Sequence, residues 1–458
     1  MMSTHLRISK VVTLGPVTMA LAGMLAGCNL MPAFEIQTGD VPDQWRNADK
    51  QYETSVVDPQ WWQAFGSAEL NRLVAEALAY NNELAAAVQR VEQARAQAKI
   101  AGADLWPTVG VNANYASSHN ELGESNKKTG SLSVAYEVDL WGANRGQRDA
   151  GQARWLSEVY ARDALQLVVM SDVSQAYFEL LATLERKRIA EAFYRNVDEV
   201  MTIVETRFQV GAVSALDVAQ QRTELANARA NLDSLKQQQA LAENVLAILL
   251  GKAPADFSGS GERFTDLLTP EIPLQQPVSL LQRRPDLRQA EMDIKAANLE
   301  VGIALAQFFP SLTLNLDTVL ANPQPAGLAL AMAANLAQPL FQGGRLEGGL
   351  ESARARHAEL LELYQQALLT AFKDVEDAAA IRNHSSRRRQ ALEEAVARAR
   401  EAYQISLDRY RVGAIDYQTL LNTQRSLLTA ENGEVQARLD VLLALVQLYK
   451  ALGGGWQG

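Results

Sequence analysis

Residues 131–140 read SLSVAYEVDL, and the pattern in that stretch decides the fold. Leu132, Val134, Tyr136, Val138 and Leu140 alternate with Ser131, Ser133, Ala135, Glu137 and Asp139. Side chains of a strand point to opposite faces in turn, so this is a strand with one oily face and one polar face. Similar segments recur. Val109, Val111, Ala113 and Tyr115 share one face of a preceding strand, after which comes a polar loop, Ser117–Gly130. Further on, Leu312, Leu314 and Leu316 alternate with Thr313, Asn315 and Asp317, and Leu328, Leu330, Met332 and Leu336 lie on one side of a fourth segment. The expected strands lie at about 106–116, 130–140, 310–320 and 328–338. Each is about ten residues long, the length a tilted strand needs to cross a bilayer.

The strands are part of a duplication. LWPTVGVNANY (105–115) resembles FFPSLTLNLDT (308–318), DLWGANR (139–145) resembles PLFQGGR (339–345), and RFQVGAVSALD (207–217) resembles RYRVGAIDYQT (409–419). Three matches in one order at a spacing of about 200 residues mark one structural unit used twice. In each copy a long helical pattern follows the strands, running to Phe208 and to Tyr410. Unbroken, such a helix is about 100 Å long. Leu361, Tyr364, Leu368, Ala371, Val375 and Ala378 keep the 3-4 spacing of a coiled-coil seam. Gly211 and Gly413 mark turns, and the chain returns through 214–250 and 416–450. The return legs are half as long as the outgoing ones. Helices at 68–103, capped by Ser67, and at about 286–307, opened by Pro285, stack on them end to end to make up the length. The reading gives an N-terminal extended segment (28–66), a first repeat (67–251), a linker (252–284), a second repeat (285–450) and a tail (451–458). The segments outside the repeats are rich in Pro, Gly and Trp and form a mixed belt around the middle.

The 458-residue chain has 43 basic and 53 acidic residues and a net charge of −10. Arg7 and Lys10 are the only charges in the first 27 residues, so the remainder stands at −12. An acidic body argues against a nucleic-acid partner. A basic start, an apolar stretch and small residues before Cys28, the one cysteine, are the anatomy of a secretory signal. Leu25-Ala26-Gly27-Cys28 resembles the bacterial lipobox, in which residues 1–27 are removed and the cysteine carries a diacylglycerol and an N-acyl chain. Asn29, rather than Asp, favours the outer membrane. Beyond Cys28 no apolar run approaches the roughly 20 residues of a membrane helix; Val245–Leu250 and Val441–Val446 are core-sized. A membrane-spanning part must therefore be built of strands.

Four strands cannot close a barrel, because an open edge in lipid leaves backbone groups unpaired. The chain is therefore expected to be an obligate oligomer, in which two copies would pool eight strands and three would pool twelve. A soluble sandwich and a cell-surface coiled-coil rod are the alternatives, and the duplicated strand pairs, the strand lengths and the signal argue against both. No catalytic constellation is present. The histidines are His5, His119, His357 and His384, widely separated, and no metal-ligand or phosphate-loop motif occurs. Arg283-Arg284-Pro285-Asp286 is read as a helix start, and Arg387-Arg388-Arg389 as a solvated face.

DPQWWQAFGSAELNRLV (58–74), LLQRRPDLRQAE (280–291), FFPSLTL (308–314), PLFQGGR (339–345) and RYRVGAIDYQTLLNTQRSL (409–427) resemble the outer-membrane channel components of tripartite efflux pumps, in the lipoprotein branch serving resistance-nodulation-division pumps. The resemblance covers the mature chain. It implies an α+β membrane protein and a homotrimer, with four strands per chain in a shared 12-stranded barrel and long coiled-coil helices in a periplasmic tunnel. It further implies a passive duct, a periplasmic adaptor and an inner-membrane pump as partners, and no cofactor beyond the lipid on Cys28. The apolar strand faces then meet lipid, and Glu137 and Asp139 face the lumen. Adaptor docking points correspond to Gly211-Ala212-Val213 and Gly413-Ala414-Ile415. The periplasmic constriction corresponds to Gln418 and Asn422, where relatives often carry an apolar residue and an aspartate; an Asn ring lacks the charge that attracts cations. Asp217 and Tyr410 match positions that hold the tip shut in some relatives, and Ile415 replaces an arginine that helps there, so a weaker lock is expected. A protein-secretion duct shares the architecture, and a non-channel structural lipoprotein is the alternative from another class.

Overall fold

The computed structural model describes residues 30–36, 41–47, 57–120, 123–257, 261–272, 277–322 and 329–456. The signal and the lipidation residue Cys28 lie outside the described residues. In chain order the main elements are α1 (Ala68–Tyr80), α2 (Asn82–Ala101), β1 (Thr108–Asn120), β2 (Gly123–Val138), α3 (Ala143–Gln209) and α4 (Ala215–Leu249). They are followed by α5 (Pro285–Ala306), β3 (Ser311–Asn322), β4 (Ala329–Ala337), α6 (Arg345–Arg411) and α7 (Tyr417–Ala451). The chain forms two compact units, and each draws on both repeats: one takes residues 92–157 and 290–363, the other 38–91, 158–289 and 364–458.

The first unit holds one antiparallel sheet in the order β1-β2-β3-β4. Its register brings the apolar residues of all four strands to one face; of those expected there, Leu140 follows the end of β2 and Leu328 lies outside the described residues. Val109 lies opposite Val134, Val111 opposite Leu132, Tyr136 opposite Leu314, and Leu316 lies between Val134 and Met332. Directly opposed residues share a face, so the other face carries Asn112, Ser131, Ser133, Glu137, Thr313, Asn315, Asp317 and Asn335. Val109, Val111, Leu314, Met332 and Leu336 are exposed. The β2–β3 pairing, from Lys128 with Asn322 to Val138 with Leu312, joins the two repeats. β1 and β4 are the edges.

The first hairpin corrects the expected loop at Ser117–Gly130. β1 continues to Asn120, β2 starts at Gly123, and the ladder is paired throughout. Polar side chains on both faces blur the alternation that signals a half-buried strand, yet the backbone ladder does not need it.

In the second unit Tyr364, Leu368, Ala371, Val375 and Ala378 are all buried, as the seam spacing predicts. α3 contains a window of mean hydropathy 1.2, apolar enough for a membrane span, but 72% of it is buried inside the protein, which is the signature of a core helix. The belt segments pack here. Trp61 stacks on Tyr449 at 5.0 Å, and Phe65 meets Phe178 edge-on at 4.9 Å.

The expected single helix over 68–103 is two helices. Asn81 leaves the helical conformation, its side chain accepts a hydrogen bond from Leu84 N at 3.0 Å, and its Nδ2 donates to Leu249 O at 2.9 Å. The end of α4 is thus tied to the α1–α2 break. Gly251, at φ +69°, sits so close that an added Cβ would overlap the Tyr80 carbonyl. The second copy repeats the joint. Gly453, at φ +87°, meets the Arg283 carbonyl in the same way, one residue before Arg284 and Pro285. There Arg284 donates to Asp286 at 2.7 Å and to Asp374 at 3.3 Å, so the Arg-Arg-Pro-Asp run starts α5 and fastens α6 beside it. Burial works against the Arg284 charge, but the two carboxylates outweigh it and hold the guanidinium charged.

Gly251→Ala and Gly453→Ala should each lower the thermal midpoint of the detergent-solubilised protein, measured by circular dichroism. Left-handed backbone strain costs about 1–3 kcal/mol, and the carbonyl overlap adds to it. Gly211→Ala, at φ +73° with open space around it, carries the strain alone and should shift the midpoint less.

Candidate functional site

The two turns that reverse the long helices lie in the second unit and share one construction. Gly211 N donates to Phe208 O at 3.0 Å and Ala212 N to Arg207 O at 2.8 Å. Gly413 N donates to Tyr410 O at 2.9 Å and Ala414 N to Arg409 O at 2.8 Å. This is the paired-bond ending that requires a left-handed residue, and Gly211 (+73°) and Gly413 (+79°) supply it. The returning helices start at once. Ser214 accepts from Asp217 N at 3.2 Å, and Asp217 accepts from Ser214 N at 2.8 Å, a reciprocal capping box. Asp416 caps α7 by accepting from Thr419 N at 2.7 Å; its hydrogen bonds to Thr419, through side chain and backbone, hold its pKa below the ordinary aspartate value.

Beneath the turns a cluster of Val200, Val204, Val218, Leu407, Leu420 and Leu421 packs the two helix pairs together. Tyr410 is buried within it, with the Arg207 guanidinium 4.6 Å from its ring centre and Tyr417 edge-on at 6.3 Å. Arg207 also donates to Arg411 O at 3.1 Å. A buried polar tie between the repeats is Tyr417: its hydroxyl donates to Gln221 Oε1 at 2.6 Å, and Gln221 Nε2 donates to Val197 O at 2.5 Å. One turn on, Arg425 Nε donates to the buried Glu224 carboxylate at 3.2 Å. Burial, with Glu224 adding, raises the Tyr417 pKa far above its ordinary value and keeps the donor proton in place.

The sequence-derived gate and docking residues fall in this region. Gln418 Nε2 donates to Asn422 Oδ1 at 3.1 Å, and both lie on the exposed side of α7. Gly211, Ala212, Gly413 and Ala414 are exposed, while Val213 and Ile415 tuck against the cluster. Asp217 and Tyr410 are not hydrogen-bonded to one another within the chain. Asp217 is engaged with Ser214, and the Tyr410 hydroxyl has no hydrogen-bond partner among the described residues. The reading of the sequence missed Gln221, Glu224, Tyr417 and Arg425. The available signal was a polar residue, Gln221, in the buried stripe between Val218 and Leu225. Among the described residues there is no group of three or more metal-ligating side chains.

A family model described as outer membrane efflux protein matches residues 73–252 and 277–454. The chain is 36% identical over 453 residues to the pyoverdine export outer membrane protein OpmQ of Pseudomonas aeruginosa, covering 95% of each. It is 29% identical to the probable outer membrane lipoprotein SilC of Salmonella typhimurium, covering 94% of this chain and 97% of the relative. Among solved structures it resembles the outer-membrane channel OprN, with a TM-score of 0.86 and 26% identity, covering 93% of this chain and 99% of that one.

Tyr417→Phe strands the buried Gln221 oxygen without its donor, at a cost of about 1–3 kcal/mol. Hydrogen exchange over the first turns of α4 and α7 should accelerate, and single-channel opening in planar bilayers should rise. Asp217→Ala combined with Tyr410→Phe should also raise opening; unchanged opening in that double variant would rule out a lock at those positions.

Proposed function

We propose, on the premise that this chain belongs to the outer membrane efflux protein family, that it is the passive outer-membrane exit duct of a tripartite efflux pump. The observation that carries the reading is the sheet: four strands in continuous register, one face apolar and exposed, the other polar, with an edge strand on each side. Three copies give twelve strands, enough to close a barrel with the apolar face toward lipid and the Asn, Ser, Thr and acidic face toward a water-filled lumen. Channels of this family work as trimers together with an adaptor and an inner-membrane pump. For this chain, energy and cargo come from those partners; it needs no cofactor and carries out no chemical step. Cargo identity is left to the pump, since a wide polar duct has few groups that select.

The remaining assignments rest on the family resemblance, and the exposed turns support those at the tip. Gln418 and Asn422 line the periplasmic constriction, with Asp217 and Tyr410 beside it. Gly211-Ala212-Val213 and Gly413-Ala414-Ile415 present exposed backbone at two equivalent places, which suits an adaptor with a repeated hairpin contact. Cys28 carries diacylglycerol and an N-acyl chain, and its several acyl chains anchor the N-terminus firmly in the outer membrane.

Purified protein in planar bilayers should conduct ions; a structural lipoprotein would not. Three Asn422 side chains form a polar, uncharged ring, so divalent cations should scarcely reduce the current, whereas Asn422→Asp should make the channel sensitive to them. Metabolic labelling with palmitate should mark the wild-type protein and not Cys28→Ser.

A further inference from the structure

The chain contains one finished seam between its repeats and the two halves of a second. At the finished seam β2 pairs with β3, and just beyond the paired residues Trp141 covers the joint. Its ring lies 4.8 Å from that of Phe309, and its indole N–H donates to Pro310 O at 2.7 Å. Phe309 stands two residues before β3. Trp106 stands two residues before β1, in the matching Leu-Trp-Pro for Phe-Phe-Pro. Phe341, in the matching Pro-Leu-Phe for Asp-Leu-Trp, follows β4 as Trp141 follows β2. The ring pair at the finished seam is partly covered, whereas Phe341 is 90% exposed and Trp106 is 74% exposed, at opposite edges of the same end of the sheet.

With the free edges of β4 and β1 paired antiparallel between copies in the trimeric duct, we propose that Phe341 of one copy packs against Trp106 of the next, as the tilted rings of Trp141 and Phe309 pack within it. The proposal rests on the trimeric duct and supplies the residues that close it. The occupant of the bare edge is a second copy because the partner surface already exists as β1, which resembles β3 position for position over Thr108–Tyr115. Side-chain phase agrees: Leu330, Met332 and Leu336 on β4 share the apolar face with Val109, Val111 and Tyr115 on β1. Antiparallel pairing keeps that face continuous across the joint, while a one-residue slip would turn it inside out. The aromatic pair fixes the phase. It sits beyond the last paired residues, so it resists the fraying to which a strand end is prone.

The test is the double variant Trp106→Cys with Phe341→Cys in the full chain, treated in native outer membranes with a short bifunctional thiol reagent. Covalent dimers and trimers should appear on denaturing gels, and each single variant should stay at monomer mass. Native trimers that give no crosslink, as rings facing lipid would, overturn the proposal, and so does a crosslink confined within one chain. A wild-type protein that is monomeric in mild detergent overturns the trimeric duct itself, so the two failures are distinguishable. Should the cysteine variants fail to assemble, the exchange Trp106→Phe with Phe341→Trp should keep the trimer's melting temperature. Trp106→Ala and Phe341→Ala should each lower it, and together no further than the more damaging single change. Additive losses, or none, count against the ring pair.

Discussion

Backbone hydrogen bonding in lipid is the constraint on which this architecture depends. A strand edge facing hydrocarbon leaves several kcal/mol per unpaired group, so a spanning sheet must close on itself. One chain supplies four strands and leaves β1 and β4 at the edges. Oligomerisation is therefore a condition for residence in the membrane, and the alternation first seen in SLSVAYEVDL already contains it. The duplication answers the same constraint economically: one strand pair, used twice per chain and so six times in a ring of three chains, repeats a single seam around the barrel.

The helical part obeys a different rule. Here buried polar side chains find partners on their own helix, as Ser171 and Ser174 do, or across helices, as Gln221 and Tyr417 do at the tips. Gln221, Glu224, Tyr417 and Arg425 form two links between the repeats among apolar neighbours. Buried hydrogen-bonded groups add little net stability but make misregistered packing costly, since a slipped helix would strand each of them.

The sequence made much of this legible for physical reasons. Alternation reports a face, so the apolar faces of the strands followed. Seam spacing reports burial, so Tyr364 to Ala378 followed, and glycine followed by a cap residue reports a helix reversal. Three features were hidden. The polar ends of β1 and β2 form a ladder held by backbone groups, to which side-chain patterning is blind. The break at Asn81 lacks a proline, and the matching Arg284-Pro285 in the second copy is visible only once Gly251 and Gly453 are seen meeting Tyr80 and Arg283 in the same way. The Tyr417–Gln221 bond joins residues 196 positions apart, and local pattern carries no information about such a partner. Asp217 illustrates the converse. Its role as a helix cap is written in Ser214-x-x-Asp217, a local signal that competes for the carboxylate with any partner on another helix.

The lengths of the return helices follow from how their ends are held. α4 and α7 each have 35 residues, although few of their side chains agree in sequence. Each begins at a capped turn packed in the common cluster and ends at a glycine pressed against a carbonyl of the preceding helix junction. One added residue would advance the far end by about 1.5 Å and rotate it by about 100°. The buried stripe would then turn toward solvent, and the glycine joint would miss its carbonyl. Composition was free to diverge between the copies because the two ends, and not the side chains between them, set the length.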